Sequence, residues 1–247
     1  MDGIWQLMVF VAAGFAAGSV PFALLLGLAR GVDIRTVGSK NVGATNLGRT
    51  LGLNWFFAAF VLDAIKGFVP PFVYALVIGH VGWDALNLPA AAAAAWLAVV
   101  IAPVLGHMFS PFVGFKGGKG VATGLGAVLG VWPVLTVPGV GALVVFLVVF
   151  LVWRYVSLAS IVAASSLPLW TWYFFSTVSR LFADPGDPSV PVGMGLDGDR
   201  TVALAVRPWV FVGAATLIAV AVILKHKGNL RRLADGTEPK AGGSKAS

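Results

Sequence analysis

The chain has 247 residues, a mean hydropathy of +0.91, 58% hydrophobic residues and only 11% charged ones, against roughly 25% charge in a soluble domain. This excludes an ordinary soluble globule, and the absence of cysteine excludes disulfides and thiolate metal sites. The net charge of +7 is not read as a nucleic-acid signature, because in a membrane protein the placement of Lys and Arg matters more than their sum.

Helical runs of about 20 apolar residues are needed to cross hydrocarbon. In chain order, the apolar runs predict spans near 3–28, 53–79, 89–109, 120–133, 135–153, 156–179 and 208–224. No Lys or Arg precedes the first run, and it is longer than a signal h-region, so it is read as a retained span. The fourth and fifth come from one uncharged stretch, Gly120 to Trp153, in which "WPVLTVPG" at 132–139 supplies two Pro and a Gly for a turn. The fourth span is therefore short. It is broken or re-entrant if it lines a polar cavity, where such backbone is tolerated. The 180–207 segment, rich in Pro, Gly and Asp, reads as an irregular outer connection.

Seven spans with the N-terminus outside put Arg30, Arg35, Lys40, Arg49, Lys116, Lys119, Arg154 and the six cations from Lys225 to Lys245 on the cytoplasmic side. Arg180, Arg200 and Arg207 fall outside, and Lys66 lies within a span. This is a positive-inside distribution. The expected fold is an all-α integral membrane protein of seven transmembrane helices with a cytoplasmic C-terminus. Residues 1–235 form one membrane domain, and 236–247 form a disordered cytoplasmic tail.

Four polar stretches fall on that inner face: "GSKNVGATNLGR" at 38–49, "GFKGGKG" at 114–120, "RYVS" at 154–157 and "KHKGNLRRL" at 225–233. Cations in inner loops commonly serve topology and headgroup contacts, a reading that stands beside a functional one for Arg30, Arg35, Arg231 and Arg232. It gives no use to Ser39, Asn41, Thr45 and Asn46, nor to Gly117, Gly118 and Gly120 around Lys116 and Lys119. Backbone N–H groups left uncovered by glycine, flanking ammonium groups and the N-terminus of a following helix together suit a phosphate. The loop is not a Walker A motif, because Gly120 follows Lys119.

Asp63 and Lys66, three residues apart inside a span, share a helix face and are read as a structural ion pair, with catalysis as the alternative. His107 lies beside the glycine loop and is a candidate substrate contact on that ground; His80 is given no role. The inner face carries only Asp33, Asp235 and Glu238 as carboxylates, and the three His share no ligand spacing. No metal or cofactor is expected, and metal-dependent phosphotransfer, which brings clustered Asp or Glu, is disfavoured. What remains is a site for one or two anionic substrates, in an enzyme or in an organic-phosphate transporter. A transporter typically shows two related halves, and no internal repeat is visible here.

"GSKNVGATNLGR", "GHMFSPFVGFKGGKGVATGLG", "RYVSLASI" and "HKGNLRRLADGTE" resemble, in order and spacing, the signature stretches of the bacterial acyl-phosphate-dependent glycerol-3-phosphate acyltransferases. The resemblance runs from "GSVPFALLLG" in the first span to Glu238. It implies a multi-pass enzyme of the bacterial inner membrane with its active site facing the cytoplasm. Its partners would be acyl phosphate, glycerol 3-phosphate and membrane lipids. It would form lysophosphatidic acid in phospholipid biosynthesis, without cofactor, metal or nucleic acid.

By motif, the resemblance makes Ser39, Arg49, Lys119, His226 and Asn229 the catalytic set. Asn41, Thr45, Asn46, Lys116, Gly117, Gly118, Gly120, Ser157 and His107 would surround the substrates. Glu238 maps onto a structural Glu, alongside the Asp63 and Lys66 pair. The family's first motif commonly reads Ser-Gly-Asn where this chain has Lys40, and its last has Arg where this chain has Lys225.

Overall fold

The computed structural model describes residues 2–178 and 198–242. The regular structure among them is entirely helical: α1 (Asp2–Ser19), α2 (Phe22–Ala29), α3 (Ala44–Leu51), α4 (Leu53–Val77), α5 (Ala90–Met108), α6 (Val121–Leu129), α7 (Thr136–Trp153), α8 (Val156–Tyr173), α9 (Gly198–Lys225) and α10 (Lys227–Ala234), with short 3₁₀ turns at Trp83–Asn87 and Pro111–Val113 and a π turn at Phe174–Val178. Of the irregular outer connection expected at 180–207, residues 180–197 lie outside the described residues, and 198–207 are not irregular but form the first turns of α9. Six stretches are long and apolar enough to cross a membrane: Gly3–Ala29, Leu53–Val77, Ala90–Val113, Thr136–Trp153, Val156–Thr177 and Pro208–Lys225.

The first of these is interrupted between α1 and α2, where Pro21 supplies no N–H and ends the ladder. Broken backbone inside a membrane protein must find partners elsewhere, and it does: Lys66 Nζ donates to the Val20 carbonyl at 2.6 Å and Ser110 Oγ to the Ser19 carbonyl at 2.5 Å.

The expected span near 120–133 holds α6, whose nine residues rise only about 14 Å, well short of the roughly 30 Å hydrocarbon core. α6 lies parallel to α4 and almost backbone to backbone. The partners ascend together, Ala64 against Gly126 and Phe68 against Gly130, and a Cβ on Gly67 would collide with the Thr123 carbonyl. Small residues permit such approach between membrane helices. Beyond α6 the Trp132 carbonyl accepts the Gly82 N–H at 3.4 Å, and the Trp132 ring lies 6.4 Å from that of Trp83. The chain at 132 has thus come level with the connection that follows α4. Gly126→Leu places its side chain against the Ala64 backbone, which has no rotamer to yield. We expect it to cost about 3 kcal/mol or more, read as a collapse of the melting temperature in detergent.

Residues 236–242, expected as part of a disordered tail, fold back onto the end of the bundle. The Ala241 N–H donates to the Arg154 carbonyl at 2.8 Å, and Glu238 is 6% exposed. What composition could not show is that Glu238 has three donors waiting for it on other segments. Residues 243–247 lie outside the described residues.

Candidate active site

The loop between α2 and α3 is fastened by Ile34 and Leu47, both fully buried with Ala23, Leu24 and Ala59. In the first turn of α3, Asn46 is 1% exposed and both of its amide N–H groups are used. Nδ2 donates to the carbonyls of Ile34 (2.8 Å) and Val37 (3.2 Å), while Oδ1 accepts the Ser39 N–H at 2.9 Å. Asn46 therefore shapes the turn that presents Ser39. The Ser39 hydroxyl makes no hydrogen bond to another described residue, which leaves it free to donate to a ligand.

Lys40 adopts φ +57°, a left-handed backbone that glycine takes more easily. This is the position where the resembling family commonly has Gly. Its side chain is exposed and lies outside the cleft. We expect Lys40→Gly to leave activity unchanged and to move stability by no more than about 1 kcal/mol, checked by a thermal melt and an initial-rate assay.

The second loop ends at Gly120, the left-handed residue (φ +77°) before α6. The N–H groups of Val121, Ala122 and Thr123 precede the first α-helical bond, from Gly124 to the Gly120 carbonyl, so this terminus offers free donors and positive potential. α6 starts about level with Phe60, seven residues into α4, so its N-terminus is recessed by roughly 10 Å. Lys119 stands at that terminus and donates through Nζ to Asn229 Oδ1 at 2.5 Å. Burial, aided by the charges of Arg232 and Arg49 and opposed by Glu238, lowers its pKa to about 8.

The third element is α10 with the returning chain. Glu238 Oε1 accepts from Ser157 Oγ (2.7 Å) and Asn229 Nδ2 (2.6 Å), and Oε2 accepts from Arg232 Nε (2.8 Å). Burial opposes ionisation of Glu238, but these three donors and the Arg232 charge outweigh it and hold the carboxyl below its usual range. A carboxylate only accepts, so the Asn229 amide nitrogen must face Glu238 and its oxygen must face Lys119. Arg49 donates to the Pro239 carbonyl at 3.2 Å, and burial lowers its pKa. His226 Nδ1 lies 2.8 Å from the Val222 carbonyl. Because that oxygen only accepts, Nδ1 carries the proton and Nε2 keeps a lone pair. Burial and the nearby Lys119 charge bring the His226 pKa down to about 4, so the ring is neutral near pH 7 and a weak base.

These groups line one cleft of about 810 Å³, measured out to its open mouth. It brings together Ser39, Asn41, Thr45, Asn46, Arg49, His107, Lys119, Gly120, Ser157, His226, Asn229 and Glu238, and also Asp63. Lys116 is exposed and stands away from it, and Gly117 and Gly118 are turned toward His107 instead. Ser157 uses its hydroxyl proton on Glu238. Arg232, for which a topology role and a functional one stand side by side in the sequence, lines the cleft. Its signal was helical spacing, because Asn229 and Arg232 are i,i+3 on α10 and share a face.

An apolar pocket of about 640 Å³ adjoins the same cleft. Phe60, Gly120, Val121, Phe146 and Ser160 belong to both walls, and the pocket continues between α6, α7, α8 and α9 past Gly124, Val128, Ala142 and Leu167. The combined cavity can hold a molecule with an anionic head and an apolar tail.

A family model described as glycerol-3-phosphate acyltransferase matches residues 8–236. A glycerol-3-phosphate acyltransferase of Geobacter sulfurreducens is 40% identical over 232 residues, covering 94% of this chain and 95% of that one; one from Fusobacterium nucleatum is 37% identical over 232 residues, covering 94% and 96%. Among solved structures, PlsY (YgiH), described as an integral membrane glycerol 3-phosphate acyltransferase, is similar in its glycerol 3-phosphate form with a TM-score of 0.72 at 33% identity over 96% of each chain. Its lysophosphatidic acid form superposes with a TM-score of 0.70 at 32% identity over 96% of this chain and 95% of that one.

Proposed function

Because the chain belongs to the glycerol-3-phosphate acyltransferase family, we propose that it transfers a fatty acyl group from acyl phosphate to the 1-hydroxyl of glycerol 3-phosphate, giving lysophosphatidic acid and inorganic phosphate. The observation that carries this reading is the junction of a cationic cleft with an apolar pocket through Phe60, Gly120, Val121, Phe146 and Ser160. Both substrates bring a phosphate, only one brings an acyl chain, and the reacting carbon would lie where the two cavities meet. The similar PlsY was solved in glycerol 3-phosphate and lysophosphatidic acid forms, ligands whose chemistry suits these two cavities.

The chemistry asks little of a protein base. An acyl phosphate is a mixed anhydride, and the acceptor oxygen attacks its carbonyl carbon while the bond from that carbon to the phosphate oxygen breaks. The hydroxyl proton passes to a phosphate oxygen of a substrate, since His226, with a pKa of about 4, is a poor proton acceptor at neutral pH. Lys119, Arg49, the N-terminus of α6 and the Ser39 hydroxyl supply charge and donors for the phosphates and the developing oxyanion. Ser39 acts as a donor and not as an acylated nucleophile, because no base is hydrogen-bonded to its hydroxyl among the described residues.

The same reading takes the chain through the bilayer of the bacterial inner membrane seven times, with α6 and the residues up to Trp132 as the short crossing. The approach of Trp132 to Gly82 and Trp83 supports it. So does the distribution of Lys and Arg, which favours a cytoplasmic site and an external N-terminus.

Anion binding requires the Lys119 ammonium. With a pKa of about 8 in the free protein, the charged form is present below that pH and is lost above it. The KM of the phosphate substrate that Lys119 contacts should rise about tenfold per pH unit above 8, and Lys119→Arg should move that rise to higher pH. The donor is tested by supplying acyl phosphate, acyl coenzyme A or an acyl carrier thioester separately with glycerol 3-phosphate to the purified protein. Lysophosphatidic acid is expected from acyl phosphate alone; product from a thioester alone overturns the donor assignment.

A further inference from the structure

The glycines of the second loop are held for different reasons. A Cβ at Gly117 would run into the His107 carbonyl, and Gly120 needs its left-handed backbone. At Gly118 the obstacle is one side chain, because a Cβ there would collide with the His107 imidazole at Nε2. The His107 carbonyl also accepts the Gly118 N–H at 3.1 Å. The loop thus rests on His107 by ring and backbone together, with Lys119 as the next residue.

Behind His107 lies the ion pair within α4. Nδ1 is 3.8 Å from Asp63 Oδ1, which Lys66 approaches to 2.7 Å. Lys66 is itself anchored on the Val20 carbonyl freed by the break before Pro21. All three groups are buried, Asp63 at 2%, Lys66 at 6% and His107 at 8% exposure. A buried pair of this kind is weak support for stability, since desolvation offsets much of its attraction, so its place behind His107 asks for another role. Met108, next in sequence, has its carbonyl held by Lys225 at 2.6 Å, and its side chain is what a Cβ on Gly120 would strike.

We propose that Asp63, Lys66 and His107 are positioning residues for the 117–120 loop. The ion pair backs the His107 ring at 3.8 Å, and the ring sets the height of Gly118 and with it the point at which Lys119 presents its ammonium. His107, expected from sequence as a substrate contact, acts here through the loop. The inference rests on the reading that Lys119 holds a substrate phosphate.

A double-variant cycle separates this role from packing. Gly118 does not have a left-handed backbone, so the nearest obstacle to Gly118→Ala is the ring. We expect it to lower kcat/KM about 100-fold, the scale of a misplacement near 1 Å. His107→Ala should lower it about tenfold, mostly in kcat. The double variant should recover to the level of His107→Ala, about tenfold above Gly118→Ala, because the collision is gone. Losses that multiply, or a Gly118→Ala enzyme with wild-type rates, overturn the proposal. Should Gly118→Ala not fold, amide exchange over 115–121 gives the answer: faster exchange in His107→Ala and in the Asp63→Asn, Lys66→Met double variant supports it, and unchanged exchange contradicts it. The wild-type donor preference, scored in the same assay, reports separately on the proposed reaction.

Discussion

Lys119→Ala is expected to lower kcat/KM by about 100- to 1,000-fold, the effect of removing one preorganised donor from a charged transition state, while the protein remains folded. The size follows from where the ammonium stands. It lies half-buried at the recessed N-terminus of α6, where a charge is screened less than on the open surface. Asn229 takes one of its protons at 2.5 Å, leaving the others for a ligand. Replacement by Ala leaves Asn229 Oδ1 without this partner, a modest loss, so the melting temperature should change far less than the rate. Initial rates at saturating and subsaturating glycerol 3-phosphate, beside a thermal melt, check both halves. A loss of activity matched by a loss of fold would mean that Lys119 is structural.

Glu238→Ala should behave in the opposite sense, with stability and activity falling together. Its carboxylate gathers Ser157 from α8, Asn229 and Arg232 from α10 and its own returning segment into one cluster. Removing it strands three donors, two of them buried. With Arg232 partly exposed the penalty is discounted to about 3 kcal/mol, or a fall of about 6–12 °C in melting temperature for a chain of this size. Asn229 would then be free to turn its amide, so Lys119 loses a fixed acceptor. Arg49, which reaches the Pro239 carbonyl one residue on, loses its anchor. Glu238→Gln keeps the shape but puts an NH₂ against either Arg232 or the Ser157 and Asn229 donors, and should recover only part of the stability. A Glu238→Ala protein that melts like wild type would show that the segment from 236 to 242 is held by something else.

Much of this was legible in the sequence because local chemistry and function coincide there. Ser39, Lys119, His226 and Asn229 stood out as polar groups in an apolar chain, and the structure gathers them around one cleft. The six stretches long and apolar enough to cross were legible from apolar runs, one of them carrying Asp63 and Lys66, but the length of α6 was not. There the length of a helix depends on how deep its N-terminus lies, and a hydropathy pattern does not report depth. Arg232 was hidden by its company in "KHKGNLRRL", where every cation looks like a topology signal until the helix period is applied. The break at Pro21 was present in the sequence, but its consequence was not, because the partner of Val20 is Lys66, 46 residues away. The fold of residues 236–242 was hidden for the same reason: 81 residues separate Glu238 from Ser157, and no local pattern carries such a pairing. Asn46, a candidate by residue type, and His107, a candidate by its place beside the glycine loop, both line the cleft, and the amide of one and the ring of the other also pack on loops of the protein itself.

The most direct test is a structure of the protein with a non-hydrolysable acyl phosphonate. The expected result has the phosphonate oxygens on Lys119 and the free N–H groups at the start of α6, the carbonyl near Phe60 and Phe146, and the chain running past Gly124, Ala142 and Leu167. A phosphonate bound away from Lys119, or an acyl chain lying outside the pocket between α6, α7, α8 and α9, would contradict a single site shared by head and tail.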